Sequence, residues 1–137
     1  MPQGGGVIGL GADIIEVERI RKVYQRHGER FLHRILTAEE QDYCFSMSNP
    51  YPHLAARFAA KEAVAKAFTT GIGAGFGWKT ASVYKGARNE PYVRLDEKGQ
   101  RLLEQAGGGD VLLTLSHTAV YALAVALIIR KPTDASP

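Results

Sequence analysis

The chain has 137 residues, a length that suits one domain with one hydrophobic core and leaves little room for a second. Seventeen Lys and Arg against fourteen Asp and Glu give a net charge of +3, too small to indicate a nucleic-acid-binding protein by itself, although it permits an acidic partner. The single cysteine, Cys44, excludes an internal disulfide, so we expect a reducing cytoplasmic compartment and an inert thiol.

The first elements are a strand and a basic helix. Residues 7–15 form a short apolar run whose glycines permit close backbone approach, and we predict a buried strand that ends near Asp13. No basic segment precedes this run, so no signal peptide is expected. Apolar residues recur at helical spacing through residues 16–27, and the basic residues of this helix fall on its opposite side.

Three more helices are predicted in the first half of the chain. One covers residues 29–36, and Thr37 with Glu40 has the capping-box pattern that opens a second, running towards Ser46. Two prolines break the chain at residues 49–52, and the next helix covers residues 53–69.

The second half is predicted to contain mainly strands. They lie at residues 81–85 and 92–95, and a helix follows at 97–105. Residues 111–129 are long and apolar enough to cross a bilayer, but a polar Ser-His-Thr run interrupts them and their Val, Ile and Tyr content favours strands. We therefore predict two strands joined near residues 116–119, and no membrane contact.

These elements indicate one α+β domain over residues 1–137, with an antiparallel sheet packed against helices. Helices and strands do not alternate strictly enough for a doubly wound sheet. The leader, residues 1–6, and the tail, residues 132–137, are expected to be flexible.

The stretch RFAAKEAVAKAF, residues 57–68, places four charges among apolar residues. On a helical wheel Glu62 lies at the border of the apolar arc, so its carboxylate is partly desolvated and needs a partner. Lys66 at i+4 can form a surface ion pair with it. Alternatively, Glu62 holds a metal ion with Asp13 as the second carboxylate, while Arg57, Lys61 and Lys66 face a polyanion.

Other polar residues carry weaker signals. Asp13 is also a candidate cap for the helix that follows it. Ser116 and His117 are adjacent on a strand and point to opposite faces, so a hydrolase pair is not expected, and hydrogen bonds to a phosphate or an adenine suit them better. His27, His33 and His53 show no metal-ligand spacing and are predicted to be exposed.

Taken together, three segments resemble one family. GLGADIIEVERI at residues 9–20, RFAAKEAVAKAF at 57–68 and LSHTAVYALAVAL at 115–127, with RILTAEE at 34–40, are similar to the signatures of holo-[acyl-carrier-protein] synthase, the small trimeric 4′-phosphopantetheinyl transferase of bacteria. The likeness covers nearly the whole chain and implies the fold of that family.

The resemblance also implies an activity. Such enzymes transfer the phosphopantetheine arm of coenzyme A to a serine of apo acyl carrier protein and release adenosine 3′,5′-bisphosphate. It implies a magnesium site at Asp13 and Glu62, with Mn²⁺ as an alternative, and catalytic roles for Glu62 and Lys66. The residues that it implies for coenzyme A binding are Arg57, Lys61, Lys66, Ser116, His117 and Thr118.

Two further expectations concern partners. The family is homotrimeric, with sites between neighbouring chains. Its acidic carrier protein would dock on the basic helices of this chain, on Arg19, Lys22, Arg26, Arg30 and Phe31. One departure is the turn at residues 87–91, where the family usually has a glycine near a proline, so the contact of this turn with the adenine stays open.

Two other classes of function remain open from the residues alone. A basic module that binds a nucleotide or RNA would use aromatic side chains such as Tyr84 and Tyr92 for stacking, but it leaves Asp13 and Glu62 without a role. A metal-dependent phosphohydrolase would use the same carboxylates, but it does not explain the basic helix. The family resemblance favours the transferase, with no nucleic acid as partner.

Overall fold

The computed structural model describes residues 6–73 and 75–132. Three antiparallel strands form a sheet in the order β1-β5-β4, two more form a separate hairpin, and the helices pack around them, which confirms the α+β prediction. The predicted flexible leader and tail lie outside these ranges apart from Gly6 and Pro132. The elements are β1 Val7–Glu16, α1 Val17–His27, α2 Glu29–Ile35, α3 Ala38–Phe45, α4 Tyr51–Ala67, β2 Ala81–Lys85, β3 Pro91–Leu95, α5 Glu97–Gln105, β4 Gly108–His117 and β5 Tyr121–Arg130.

Helix α4 lies directly on the sheet because both surfaces carry small residues. A Cβ atom on Gly11 would collide with the carbonyl oxygen of Ala63, and one on Gly9 would meet that of Ala67. Ala122, Ala124 and Ala126 of β5 are fully buried in the same layer. The close approach of α4 to β1 brings the side chains of these two elements together at the candidate site.

Two predictions about element ends were wrong. Helix α4 begins at Tyr51 rather than His53, because a proline is tolerated in the first turn, where its missing N–H has no intrahelical acceptor. Strand β1 continues to Glu16, so Asp13 lies inside the strand and does not cap α1, whose cap residue is Glu16. The capping box of Thr37 and Glu40 is confirmed.

The two C-terminal strands are confirmed, and they run antiparallel with a turn after His117. No helix in residues 6–73 and 75–132 has the length and hydropathy needed to span a bilayer. Cys44 is fully buried in α3, and burial raises the pKa of its thiol to about 11, so the thiol stays protonated at neutral pH.

The face of the sheet opposite α4 is apolar and exposed. Leu10 and Ile14 of β1 are 64% and 63% exposed, and Leu112 and Leu123 on the neighbouring strands are also exposed. Side chains alternate between the two faces of a strand, so these residues form one patch on the side away from the helix.

Candidate active site

Two carboxylates and a lysine lie where one side of α4 meets β1, a group we call the carboxylate flank: Asp13 of β1 with Glu62 and Lys66 of α4. Lys66 Nζ donates to Asp13 Oδ1 at 3.2 Å and to the Ala12 carbonyl at 3.1 Å. Glu62 precedes Lys66 by one turn. Burial raises the pKa of the Glu62 carboxyl, the charge of Asp13 raises it further, and Lys66 and Arg19 oppose this shift.

The partner of Lys66 differs from the sequence expectation. Within the described parts of the chain its ion pair is with Asp13 of β1, a tertiary contact, and not with Glu62 at i−4. A lysine held between strand and helix in this way has a fixed position relative to both carboxylates. It is half exposed, so its ammonium can also reach a ligand.

The donor set of the carboxylate flank suits a hard divalent cation. No group of three or more His, Cys, Asp or Glu side chains placed to hold a metal occurs among the described residues. Asp13 is bonded to Lys66, which lies one turn after Glu62, and the charge of Asp13 raises the pKa of Glu62, so the two carboxylates lie near each other. Mg²⁺ often takes only one or two protein carboxylates and completes its coordination with water and substrate phosphates, so this pair fits such an ion.

Cationic and aromatic side chains from several elements lie at the other side of α4, and we call this group the cation corner. Its members are His53 and Arg57 of α4, Tyr43 of α3, Lys85 of β2 and His117 of β4. The Arg57 guanidinium carbon lies 4.2 Å from the centroid of the Tyr43 ring, and Lys85 Nζ lies 5.9 Å from it. The His53 ring meets the His117 ring edge-on at 5.0 Å between centroids. A groove of about 280 Å³ opens beside Arg57, Tyr43 and Lys85.

Positive charge is electrostatically unfavourable in the cation corner of the free protein. Arg57 is 1% exposed, and its Nε has no hydrogen-bond partner in the described part of the molecule. Burial lowers the pKa of His53, and the charges of His117, Arg57 and Lys85 lower it further. Burial and Arg57 likewise lower the pKa of Lys85. An anion bound here would relieve this repulsion and supply an acceptor for Arg57 Nε.

Lys61 is not in either group, and the prediction that it contacts coenzyme A was wrong. Its side chain is fully buried, and its Nζ donates to Glu40 Oε1, the Trp78 carbonyl and the Ala81 carbonyl at 2.8–2.9 Å. An ammonium has three N–H donors, so none remains for a phosphate. The sequence pattern could not show this, because the acceptors come from two distant segments, Glu40 on α3 and residues 78–81 at the start of β2.

The three residues of the Ser116-His117-Thr118 run lie in different surroundings. His117 joins the cation corner. Ser116 is exposed on the sheet face away from α4, in keeping with the alternation of a strand. Thr118 Oγ1 accepts the N–H groups of Val120 and Tyr121 and closes the turn. The structure therefore brings one of these three residues, His117, to the cation corner through its contact with His53, and gives Thr118 a local structural role.

Sequence reasoning missed three members of the cation corner. His53 was predicted to be an ordinary exposed residue, but it is half-buried and packed between Tyr43 and His117. Lys85 and Tyr43 drew no prediction. The available signal was the i, i+4 spacing of His53 and Arg57, which places both on one face of α4.

The predicted docking residues lie on one basic surface. Arg19, Lys22, Arg26 and Arg30 are exposed, and Phe31 is half-buried. A groove of about 450 Å³ beside them is lined by Val23, His27, Arg30, Phe31 and Arg34.

The hairpin β2–β3 bears on the alternative of an RNA-binding module. Tyr84 and Tyr92 stack on each other at 5.8 Å, and the Arg94 guanidinium covers Tyr84 at 4.0 Å. The tyrosines thus already have stacking partners within the hairpin, which makes them poorer platforms for bases.

The two groups lie on opposite sides of one helix. At 100° per residue, Lys66 is about 40° from Glu62, whereas Arg57 is about 140° from it. Helix α4 and the sheet beneath it therefore separate the carboxylate flank from the cation corner.

Comparison with known proteins identifies the family. Residues 9–126 match the model of the 4′-phosphopantetheinyl transferase superfamily. The chain belongs to that superfamily.

Individual members of the superfamily agree closely with this chain. It is 53% identical over 121 residues to the holo-[acyl-carrier-protein] synthase of Chlamydia trachomatis serovar L2, covering 88% of this chain and 98% of the relative. The crystal structure of the synthase from Neisseria meningitidis superposes with a TM-score of 0.82 at 33% identity, over 89% of this chain and 98% of that one. The synthase of Helicobacter pylori, solved in complex with coenzyme A, gives a TM-score of 0.78 at 28% identity, over 87% and 98%.

Proposed function

We propose that this 4′-phosphopantetheinyl transferase is a holo-[acyl-carrier-protein] synthase, which transfers the phosphopantetheine arm of coenzyme A to a serine of apo acyl carrier protein. The observation that carries the proposal is the pairing of a carboxylate flank with a cation corner on one helix. Coenzyme A has a diphosphate and a separate 3′-phosphate, so its diphosphate would meet a metal ion and Lys66 at the carboxylate flank while its 3′-phosphate would meet the cation corner. Close relatives with this name, and a similar fold solved with coenzyme A, support it.

The carboxylate flank is the proposed place of the chemistry. Asp13 and Glu62 would hold Mg²⁺, with Mn²⁺ as an alternative, and the ion would neutralise charge on the diphosphate. Glu62 would also act as the general base that accepts the proton of the attacking serine hydroxyl, directly or through a water. Lys66, held by Asp13, places its ammonium beside the leaving phosphate and stabilises the charge that develops there.

The cation corner is the proposed site of the adenosine 3′,5′-bisphosphate portion. Arg57 offers an unused N–H in a nearly buried position, and Lys85 and His117 lie around it. Guanidinium groups bind phosphates with directed hydrogen bonds, which are strong where water is excluded. Ser116 and Thr118, at the end of β4, remain candidates for outer contacts with this portion.

The complete site is proposed to form between neighbouring chains of a homotrimer. Because α4 separates the two groups within one chain, the carboxylate flank of one chain would face the cation corner of the next. The exposed apolar face supports this arrangement, because a shallow depression of about 200 Å³ joins Ile14 and Leu123 of that face to Asp13 and Lys66. A neighbour that covers the apolar face would therefore reach the carboxylate flank directly.

The basic surface of α1 and α2 is the proposed dock for the acidic carrier protein. Arg19 is close enough to Glu62 to affect its pKa, so a carrier bound on Arg19, Lys22, Arg26 and Arg30 would lie beside the carboxylate flank. Phe31 would supply an apolar contact at the basic groove. A cytoplasmic location is in keeping with one buried, protonated cysteine.

The test of the function is intact mass spectrometry of apo acyl carrier protein after incubation with this protein, coenzyme A and Mg²⁺. We expect the carrier to gain the mass of one phosphopantetheine, and expect EDTA to prevent the gain. A carrier in which the acceptor serine is replaced by alanine is the control. Folded protein that leaves several carriers unmodified would contradict the proposal.

A further inference from the structure

A buried ion pair lies next to the cation corner. Glu40 of α3 and Lys61 of α4 both have fully buried side chains, and their Oε1 and Nζ atoms are 2.9 Å apart. Burial lowers the pKa of Lys61, and the Glu40 carboxylate opposes that shift. A buried pair of this kind often stabilises a fold no better than apolar residues of the same volume would, so stability alone does not account for it.

The pair is the centre of a hydrogen-bond network that joins three elements. Glu40 Oε1 also accepts the N–H of Thr37 at 2.9 Å, and Glu40 Oε2 accepts the N–H of Val83 in β2 at 2.9 Å. Lys61 donates to the carbonyls of Trp78 and Ala81 in the segment that leads into β2. The start of α3, the middle of α4 and strand β2 are thus fixed to one another by directed contacts.

Three side chains of the cation corner, those of Arg57, Tyr43 and Lys85, come from the same three elements. Arg57 lies one turn before Lys61 on α4, and Tyr43 lies three residues after Glu40 on α3. Residues at these spacings share a helix face. Lys85 lies two residues after Val83 on β2 and points to the same side of that strand. Each of these three residues is therefore close in its own element to a residue that the network anchors.

We propose that Glu40 and Lys61 are positioning residues, which set the relative placement of Arg57, Tyr43 and Lys85 so that the groove between them fits the adenosine 3′,5′-bisphosphate portion of coenzyme A. This rests on the proposed function. The pair touches no substrate and acts through the corner side chains. Apolar residues could fill the same volume, but they would not fix the register of β2 against α3 and α4, because dispersion contacts have no direction.

The first test is the double variant Glu40→Gln with Lys61→Met. It removes both charges together, so neither is left buried without a partner. We expect the KM for coenzyme A and the Kd for adenosine 3′,5′-bisphosphate to rise about tenfold or more, because the phosphate contacts are displaced. The kcat at saturating coenzyme A should stay within about threefold of the wild type.

This separation of KM from kcat distinguishes positioning from stability. A pair that only stabilised the fold would reduce the amount of active enzyme, and so would lower the apparent kcat and leave KM unchanged. The matched control is Leu103→Ala, which empties a buried position on α5. That variant should melt at a lower temperature and keep the wild-type KM and Kd.

A milder variant covers the case in which the double variant does not fold. Glu40→Asp keeps the charge and draws the carboxylate back by one methylene group, so we expect a rise of a few-fold in the same KM and Kd. Wild-type KM and Kd in a folded double variant or in Glu40→Asp would overturn the positioning role. An equal rise of KM and Kd in Leu103→Ala would overturn it as well. If the wild type neither transfers phosphopantetheine nor binds adenosine 3′,5′-bisphosphate, the proposed function itself fails, and the measurement on the wild type shows this first.

Discussion

The two sides of helix α4 differ in the charges that they bring together. The carboxylate flank mixes charges of both signs, with Lys66 bonded to Asp13 and Glu62 partly desolvated beside them. The cation corner collects Arg57, Lys85 and two histidines, and stacking on Tyr43 takes the place of a carboxylate partner for Arg57. A mixed group can hold a metal and move a proton, whereas the corner, where Glu39 is the one acidic residue among the described residues that line the groove beside Arg57 and Lys85, favours the binding of an anion. This difference is the reason we propose chemistry for one side and substrate binding for the other.

The largest expected effect is on the carboxylate flank. Glu62→Gln should lower kcat by about 10³-fold or more, because it removes a general base together with a metal ligand. The melting temperature should not fall, since the variant removes a carboxylate whose raised pKa reports an unfavourable environment. Single-turnover kinetics and thermal denaturation check both statements. Glu104→Gln on exposed α5 is the control, and a fully active Glu62→Gln would contradict the division of roles.

A smaller effect of a different kind is expected at the cation corner. Arg57→Lys should raise the Kd for adenosine 3′,5′-bisphosphate about 10- to 100-fold and leave kcat nearly unchanged, because a lysine can neither stack flat on Tyr43 nor form the same directed bonds. Isothermal titration calorimetry measures the affinity, with Arg101→Lys as the control on the surface of α5. A loss of kcat as large as that of Glu62→Gln would show that the two sides are not functionally distinct.

The protonation of His53 offers a third way to test whether the cation corner is the anion-binding side. The pKa of His53 is lowered from 6.5, so the free protein keeps this ring neutral at neutral pH and loses stability as the pH falls below that value. A bound phosphate dianion would raise the pKa again, so adenosine 3′,5′-bisphosphate should bind with uptake of up to about one proton. Calorimetry at pH 7.5 in two buffers of different ionisation enthalpy measures the uptake. A His53→Phe variant should lose it, and unchanged uptake in that variant would assign the proton to another group.

The smallest expected effect concerns the carrier protein. Arg30→Ala should raise the KM for acyl carrier protein a few-fold, and the KM of the wild type should rise with salt, because rim charges act mainly on association. The KM for coenzyme A should not change. Steady-state kinetics at two salt concentrations checks this, with Arg101→Ala as the control. An equal effect of both variants would place the dock elsewhere.

Much of the carboxylate flank could be predicted from the sequence, because local periodicity sets Glu62 and Lys66 on one face of a helix and Gly9 and Gly11 place Asp13 near it. The cation corner was less predictable. Arg57 and His117 were candidates for anion contacts from their residue types and from the family resemblance. Tyr43 and Lys85 join them through tertiary packing of α3 and β2, which no spacing in the sequence encodes.

Lys61 shows most clearly what could not be predicted from the sequence. Its neighbours in the sequence suggested a residue that faces a polyanion, and the structure shows all three of its donors satisfied inside the protein. A pattern of charges on a helix indicates that the charges have partners, but it does not show whether those partners are a ligand or the fold itself.

The most direct test of the central claim, that each active site combines the carboxylate flank of one chain with the cation corner of another, is subunit complementation. Glu62→Gln and Arg57→Lys chains are mixed in equal amounts, exchanged, and assayed at a coenzyme A concentration well below the KM of Arg57→Lys. Random mixing should restore about a quarter of the sites, those that join an intact flank to an intact corner. Activity no greater than the average of the two separate variants, in trimers shown by native mass spectrometry to be mixed, would contradict the claim.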